Sequence, residues 1–338
     1  MLDRFIKFVG ENRDLSPDFE FMPLTEKQNR FQYVGGQIEN GKLYSIVNSA
    51  EKMLKYDIKN GTMDFSGTFP KTDFKWTGGC FYNGFLYCFP RFSNSLLVYY
   101  PDTDTFQEID CGYNYTAEHH YGGVCTTCGI IYQPPRSTDH ILKWDIKTKT
   151  CQKIQINGGQ SCRYCGSVIH PNGYIYFIPE EGFCVIKMNI KTEEISYIDN
   201  PICSMAFNPT VAANGNIYGF SSDNGILKID TKNDKVSILH KDIRIRSYGT
   251  KSGINGKLYS LPGYTNDVWE FDPFSEDLKK CYSFSAINKV NYAGGAVDLN
   301  GDIYALPVYA DNILKISFKK YNVNIPPDIY NAFFKDFY

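Results

Sequence analysis

The sequence predicts an all-β fold: seven four-stranded antiparallel blades closed into a ring. Three observations carry this. An Asn-Gly turn recurs at Asn40-Gly41, Asn83-Gly84, Asn172-Gly173, Asn214-Gly215, Asn255-Gly256 and Asn300-Gly301, and Cys128-Gly129 fills the one gap. Three residues after each glycine stands a tyrosine (Tyr44, Tyr87, Tyr132, Tyr176, Tyr218, Tyr259, Tyr304), at spacings of 43, 45, 44, 42, 41 and 45 residues. Composition agrees: 26 Tyr and 24 Phe favour strands, while 28 Gly and 16 Pro supply turns.

Each repeat reads as four strands. Strand A ends at the Asn-Gly, as in Gly35-Gly36-Gln37-Ile38-Glu39, and that dipeptide favours a type I′ hairpin because both central residues need positive φ. Strand B follows, as in Lys257-Leu258-Tyr259-Ser260-Leu261, and proline often stops it. Strand C is a Leu-Lys-apolar-Asp pattern, as in Leu142-Lys143-Trp144-Asp145, and a polar turn leads to strand D, such as Cys151-Gln152-Lys153-Ile154. Four short strands per 41–45 residues is the blade signature of a β-propeller. The seventh unit runs from Tyr292 to Ser317 and lacks strand D. The alternating segment Asp18-Phe19-Glu20-Phe21-Met22 supplies it and closes the ring, which removes exposed sheet edges. The organisation is then a tail (1–17), a propeller (18–317) and a second tail (318–338).

The glycine pairs, the tyrosine and the later strand with Asp resemble kelch repeats, but here Gly35-Gly36, Gly78-Gly79, Gly122-Gly123 and Gly294-Gly295 precede the Asn-Gly turn. The stretch Gly294-Gly295-Ala296-Val297-Asp298-Leu299-Asn300-Gly301-Asp302-Ile303-Tyr304 is more similar to the blades of streptogramin-lyase-type propellers. The resemblance implies a fold and no activity.

Other classes are excluded. Of 338 residues, 43% are hydrophobic and 21% charged, so the chain is globular rather than disordered. No apolar run approaches the ~18 residues of a membrane helix. Charges run through Met1-Leu2-Asp3-Arg4-Phe5-Ile6-Lys7, so no secretion signal is read, and the eleven scattered cysteines are expected as reduced thiols in the cytoplasm. A net charge of −2 argues against a general polyanion binder, and no specific nucleic-acid partner is expected. Cys125-x-x-Cys128 and Cys162-x-x-Cys165 look like a zinc motif, but the repeat places the first pair at the bottom of blade 3 and the second at the top of blade 4. A strand of seven residues separates them by ~20 Å, too far for one ion. No metal or cofactor is expected, and no phosphate loop, GxSxG or HExxH is present.

Strand order assigns faces. The A–B and C–D turns share the bottom, and the longer D–A and B–C loops share the top. The top loops hold six of eight arginines (Arg30, Arg91, Arg136, Arg163, Arg244, Arg246) and four of five histidines (His119, His120, His140, His240). The functional face is therefore expected at the top mouth of the channel. Its expected ligand contacts are Lys75, Trp76, Arg91, Tyr121, Arg136, Arg163, Tyr164, Arg246, Tyr248 and Tyr292. Lys75, His120 and Arg163 occupy equivalent positions before strand A of blades 2, 3 and 4 and are expected to form one cationic arc. Repetition of the strand-A aromatics (Tyr33, Trp76, Tyr121, Tyr164, Phe207, Tyr248, Tyr292) also fits packing between blades. The expected function is a non-catalytic scaffold binding a protein segment or an anionic small molecule. The alternative is a lyase or hydrolase in which His119 or His120 works with Glu118 or Glu180, or with Glu181. Both termini read as short amphipathic helices: Leu2, Phe5, Ile6, Val9 and Tyr330, Phe333, Phe334, Phe337. They should emerge together at the bottom, as contacts within the chain or between chains.

Overall fold

Seven four-stranded antiparallel sheets stand in sequence order around one channel in the computed structural model. The described residues are 1–27, 31–116, 119–156, 163–181, 184–199, 206–285, 290–319 and 323–335. Blades 1 to 6 each use four consecutive strands, for example Tyr33–Glu39, Lys42–Val47, Met53–Asp57 and Thr62–Ser66. Blade 7 combines Tyr292–Val297, Ile303–Pro307 and Asn312–Phe318 with the N-terminal strand Pro17–Pro23. That strand pairs from Pro17↔Phe318 to Pro23↔Asn312, so the predicted closure is present. Phe19 stacks on Tyr282 of blade 6 at 4.5 Å, and Phe21 packs on Phe284 at 5.4 Å, so the strand also glues blade 7 to blade 6.

The tight type I′ turn expected at every Asn-Gly forms only in blades 1 and 2, where Asn40 and Asn83 have φ of 51° and 50°. In blades 4, 5 and 6 the asparagine does something else. Asn172, Asn214 and Asn255 each donate Nδ2 to the hydroxyl of Tyr176, Tyr218 and Tyr259 at 2.9 Å. The same side chains accept the amide two residues on, at 3.1–3.2 Å. In these three blades the repeated tyrosine is a buried ring whose hydroxyl is satisfied by its own turn. Blade 7 substitutes a carboxylate: Asp298 accepts the amides of Asn300 and Asp302 at 2.9 Å. Burial, reinforced by neighbouring Asp302, raises its pKa to about 6.

Strand A is shorter than expected in two blades: Val124–Cys125 in blade 3 and Thr210–Val211 in blade 5. Gly122 (φ 64°) breaks the ladder before the first, and Asn208 (φ 57°) with Pro209 before the second. Elsewhere inner strands touch backbone to backbone. A Cβ on Gly294 of blade 7 would lie 2.8 Å from Cα of Gly35 in blade 1.

Ion pairs link neighbouring blades in a regular series. The strand-C lysine of one blade reaches the acid that ends the C–D turn of the next: Lys55–Asp104 at 3.0 Å, Lys143–Glu193 at 2.6 Å, Lys187–Asp234 at 2.8 Å and Lys228–Glu276 at 2.5 Å. Where blade 2 has Val98 in place of the lysine, blade 3 has Lys149 in place of the acid. Each pair is partly exposed and worth no more than about 1 kcal/mol, so the series sets blade alignment more than stability.

The tails meet beneath the ring. Helix Leu2–Asn12 buries Phe5 and Val9, and Val9 sits where Gly256 of the blade 6 turn has no Cβ. Phe5 stacks on Phe333 at 4.1 Å, and Arg4 pairs with Asp328. The C-terminal turn Tyr330–Phe334 lies under the channel. The Tyr330 hydroxyl donates to Val297 O at 2.7 Å, Lys335 reaches Glu39 at 3.4 Å, and Phe333 shares a small cavity with Val124, Val168 and Val211. Phe337 lies outside the described residues.

The raised pKa of Asp298 gives a signed prediction. A carboxyl whose pKa is about 6 folded and 3.8 unfolded stabilises the fold at low pH, and that contribution is lost as pH rises through 6. Asp298→Asn keeps the acceptor and supplies the Nδ2–H that blades 4 to 6 already use. It should raise stability by roughly 1–3 kcal/mol at pH 8 and leave pH 4 nearly unchanged. Thermal melts at both pH values check this.

Candidate functional site

The top face carries an almost continuous band of aromatic rings with two arginines stacked into it. Tyr309 of blade 7 meets Phe31 at 5.0 Å, and Phe31 meets Phe74 at 5.2 Å. The guanidinium of Arg91 lies between Phe74 and Tyr121, 4.4 Å and 4.7 Å from the ring centres. Arg136 covers the same Tyr121 at 5.0 Å. Tyr121 continues to Phe207 at 5.7 Å, Phe207 stacks on Tyr248 at 4.7 Å, and Tyr248 meets exposed Tyr264 at 5.6 Å. Tyr248 and Tyr309 both pack on the Val34, Val290, Ala293 and Val308 cluster, which closes the circuit. Burial pushes the Tyr248 hydroxyl well above its usual range, so it stays a neutral donor.

Arg136 is buried and bound to Glu180 through both guanidinium nitrogens, Nη2 standing 3.0 Å from Oε1. Glu180 is thereby committed to an arginine. The expected acid–base pair of His119 or His120 with Glu180 is not what the fold builds. Glu118 lies outside the described residues, as do Arg30 and Cys162, and nothing is described of the Glu181 side chain.

The histidines form an enclosed stack. His119 and His120 are 1% and 0% exposed, with their Nδ1 atoms 2.9 Å apart. His119 Nε2 faces Ser93 O at 2.8 Å and His120 Nε2 faces His140 O at 3.2 Å, so each carbonyl takes an N–H from the ring that faces it. Tyr115 lies over His119 at 4.2 Å and donates its hydroxyl to His140 Nε2 at 2.8 Å, while His140 Nδ1 donates to Asp139 at 2.9 Å. Burial, with the neighbouring imidazoles, holds His120 well below the normal histidine range, and burial lowers His140 too. These rings brace the B–C and D–A loops of blade 3.

The residue before strand A, expected to face the channel, is instead a sideways latch. Lys75 is 5% exposed, and its Nζ donates to the carbonyls of Ala50, Pro70 and Thr72 at 3.0–3.1 Å. Burial pulls its pKa down to about 8. Gln32 and Asn291 do the same, reaching Ala310 O at 3.1 Å and Thr265 O at 2.7 Å in the preceding blade. The expected arc of Lys75, His120 and Arg163 therefore loses two members to structure: Lys75 stitches blade 2 to the loop before it, and His120 is enclosed in blade 3 against His119 and His140 O. Arg163 is half-buried, its main chain paired with Glu181. Arg246 is half-buried in a left-handed bend of φ 55°.

Among the strand-A aromatics, Trp76, Tyr164 and Tyr292 are packing residues, each no more than 2% exposed. Trp76 donates Nε1 to Ser95 O at 2.9 Å, Tyr164 its hydroxyl to Cys184 O at 3.4 Å, and Tyr292 its hydroxyl to Asn312. Tyr121 and Tyr248 belong to the band. Phe31, Phe74, Tyr264 and Tyr309 were not in the expected site; their signal was an aromatic in a top loop outside the repeat position. Cys125 and Cys165 are buried free thiols, and among the described residues no cluster of three His, Cys, Asp or Glu is placed to hold a metal.

No family model and no curated protein sequence matches this chain. Solved structures do. A streptogramin B lyase superposes with a TM-score of 0.76 at 14% identity, over 90% of this chain and 98% of its own. A catalytically inactive variant of virginiamycin B lyase from Staphylococcus aureus, solved with quinupristin, gives 0.76 at 13%, over 89% and 99%. The WD40 β-propeller domain of Doa1 gives 0.66 at 11%, over 89% and 97%. At these identities the likeness establishes the seven-bladed propeller class and nothing narrower.

The buried histidines give a second signed prediction. A base whose folded pKa is depressed contributes stability above the unfolded value, near 6.5, and that contribution falls away as pH drops below it, by up to about 1.4 kcal/mol per pH unit per ring. Asp298 works in the opposite direction below pH 6, so the Asp298→Asn variant isolates the histidines. Its melting temperature should fall from pH 7 to pH 5, and the His120 ring should remain neutral at pH 5 by NMR. A His120 that titrates near 6.5 contradicts the enclosed stack.

Proposed function

We propose that this propeller is a non-catalytic binding scaffold whose top mouth takes an acidic protein segment or an anionic small molecule. The supporting observation is Arg91, held between the rings of Phe74 and Tyr121. Stacking fixes the plane of the guanidinium, and a fixed fork is suited to a carboxylate or phosphate. The surrounding aromatics offer contact area at low entropic cost. The quinupristin-bound neighbour is a propeller of the same class with a small-molecule ligand, and it is also an enzyme. The enclosed histidine stack and the Arg136–Glu180 pair favour binding over turnover here. Among the described residues no helix is long and apolar enough to cross a membrane, and the nine described cysteines are free thiols, in keeping with a cytoplasmic setting.

The test is a set of fluorescein-labelled acidic peptides, with and without phosphate, measured by anisotropy. Arg91→Ala should weaken the best binder about 10- to 100-fold, the loss of one charge-assisted bond. Arg91→Lys should not restore it, because an ammonium neither stacks nor forks. Melting temperatures should stay within a few degrees. Equal binding by the Arg91→Ala protein removes this reading, and chemically altered peptide in the recovered mixture favours the enzyme.

A further inference from the structure

Below the aromatic band one side chain reaches into the channel lumen, across to the inner strands of blades 6 and 7. Asn208 opens blade 5, next to the band residue Phe207. Its Nδ2 lies 3.4 Å from the Cβ position of Gly249 in blade 6 and 3.3 Å from that of Gly294 in blade 7. Blades 5 and 7 are not neighbours in a seven-bladed ring. A side chain of one that touches the innermost strand of the other lies in the lumen between them. The two glycines make room for it, since a methyl at either position would press on the amide.

Two further observations separate Asn208 from ordinary packing. It is 3% exposed, and its Oδ1 is fully buried with no hydrogen-bond partner. Buried polar atoms are nearly always bonded, and an orphaned one asks for an explanation. Its backbone is also left-handed, at φ 57°. Asparagine tolerates that conformation, and glycine adopts it freely. The fold therefore holds, in the lumen of its channel, a residue that is neither the simplest choice for the backbone nor satisfied in its side chain.

Among the described residues the C-terminal turn stands against the lower end of the channel. Below, Phe333 and Lys335 cover the inner strands of blades 3 to 5, and Lys335 ties to Glu39 of blade 1. A ligand of the top face reaches Asn208 past Tyr121, Phe207 and Tyr248. Arg91 and Arg163 stand on blades 2 and 4, with Arg136 of blade 3 paired to Glu180 between them, whereas Asn208 Oδ1 and Asn291 Oδ1, two of the buried acceptors without a hydrogen-bond partner, belong to blades 5 and 7. An acceptor facing a cationic sector fits a ligand with an N–H donor on one side and an acidic group on the other.

Building on the proposed top-face site, we infer that Asn208 is its specificity-determining floor, which selects ligands carrying an amide or amine N–H, as a peptide does. The carboxamide turns easily about its last bond, a broad torsion, so Oδ1 can be presented upward without moving the backbone.

The test uses the full chain and two fragments that differ by one donor: N-methylacetamide and N,N-dimethylacetamide. The side-chain NH2 signals of Asn208 are assigned by their absence in Asn208→Gly. N-methylacetamide at millimolar concentration should shift them, and the dimethyl compound should not. Asn208→Gly should melt at the same temperature or higher, because it removes an orphaned acceptor and suits positive φ, yet bind the best acidic peptide at least 10-fold more weakly. Equal shifts with both fragments, no shift with either, or a Gly variant that melts several degrees lower while binding the peptide normally, overturns the assignment and leaves Asn208 a structural or water-bound residue. If no acidic peptide binds the wild type, the top-face reading fails, and the fragment comparison still decides Asn208.

Discussion

The ring depends on one pairing: residues 17–23 against 312–318, the strand that joins the two ends of the chain. Six blades complete themselves locally, and the seventh cannot. Without the N-terminal strand, blade 7 ends in an open edge, and blade 6 loses the rings of Phe19 and Phe21 from Tyr282 and Phe284. The top mouth inherits this constraint. Its aromatic band runs from blade 7 through blades 1 and 2 to Tyr121 of blade 3 and on to Phe207 of blade 5, and the Tyr248 to Tyr309 segment rests on the cluster between blades 6, 7 and 1. Closure therefore positions the candidate site as well as the fold.

The two faces divide the work. Beneath, the helix Leu2–Asn12 fits against hairpin turns whose glycines leave space for Leu2 and Val9, and Phe5 stacks on Phe333 of the C-terminal turn. Above, blades 1, 2 and 7 are stitched to the previous one by a buried donor, Gln32, Lys75 and Asn291. What remains available is the band itself, with Arg91 and Arg136 on the shared ring of Tyr121. The charge chemistry of the top face is thus narrower than its composition suggests.

The fold was legible because it is periodic. The Asn-Gly and tyrosine repeats gave blade number and register, and the missing strand gave the closure. The site was less legible because a buried latch and an exposed ligand contact can be the same residue type. Lys75 and His120 read as channel cations, since nothing in one sequence shows that carbonyls of the preceding loop consume the first and a histidine neighbour the second. The type I′ turn was overextended for a similar reason: a tyrosine stands four residues after each turn asparagine, and the spacing alone does not show that in blades 4 to 6 its hydroxyl takes the asparagine Nδ2. Two signals were present and unused. The strand-C lysine and the next blade's turn acid vary together, as Val98 and Lys149 show where both change. Asn208-Pro209 also interrupts strand A of blade 5, the one blade with a proline at that point of the strand.

Native-state hydrogen exchange tests the closure most directly. The amides of residues 17–23 should open only with the whole ring, at the same free energy as Ile303–Pro307 at the centre of blade 7. Exchange of 17–23 through a separate, cheaper opening that leaves Ile303–Pro307 protected would show that the ring stands without its N-terminal strand, and would contradict the account.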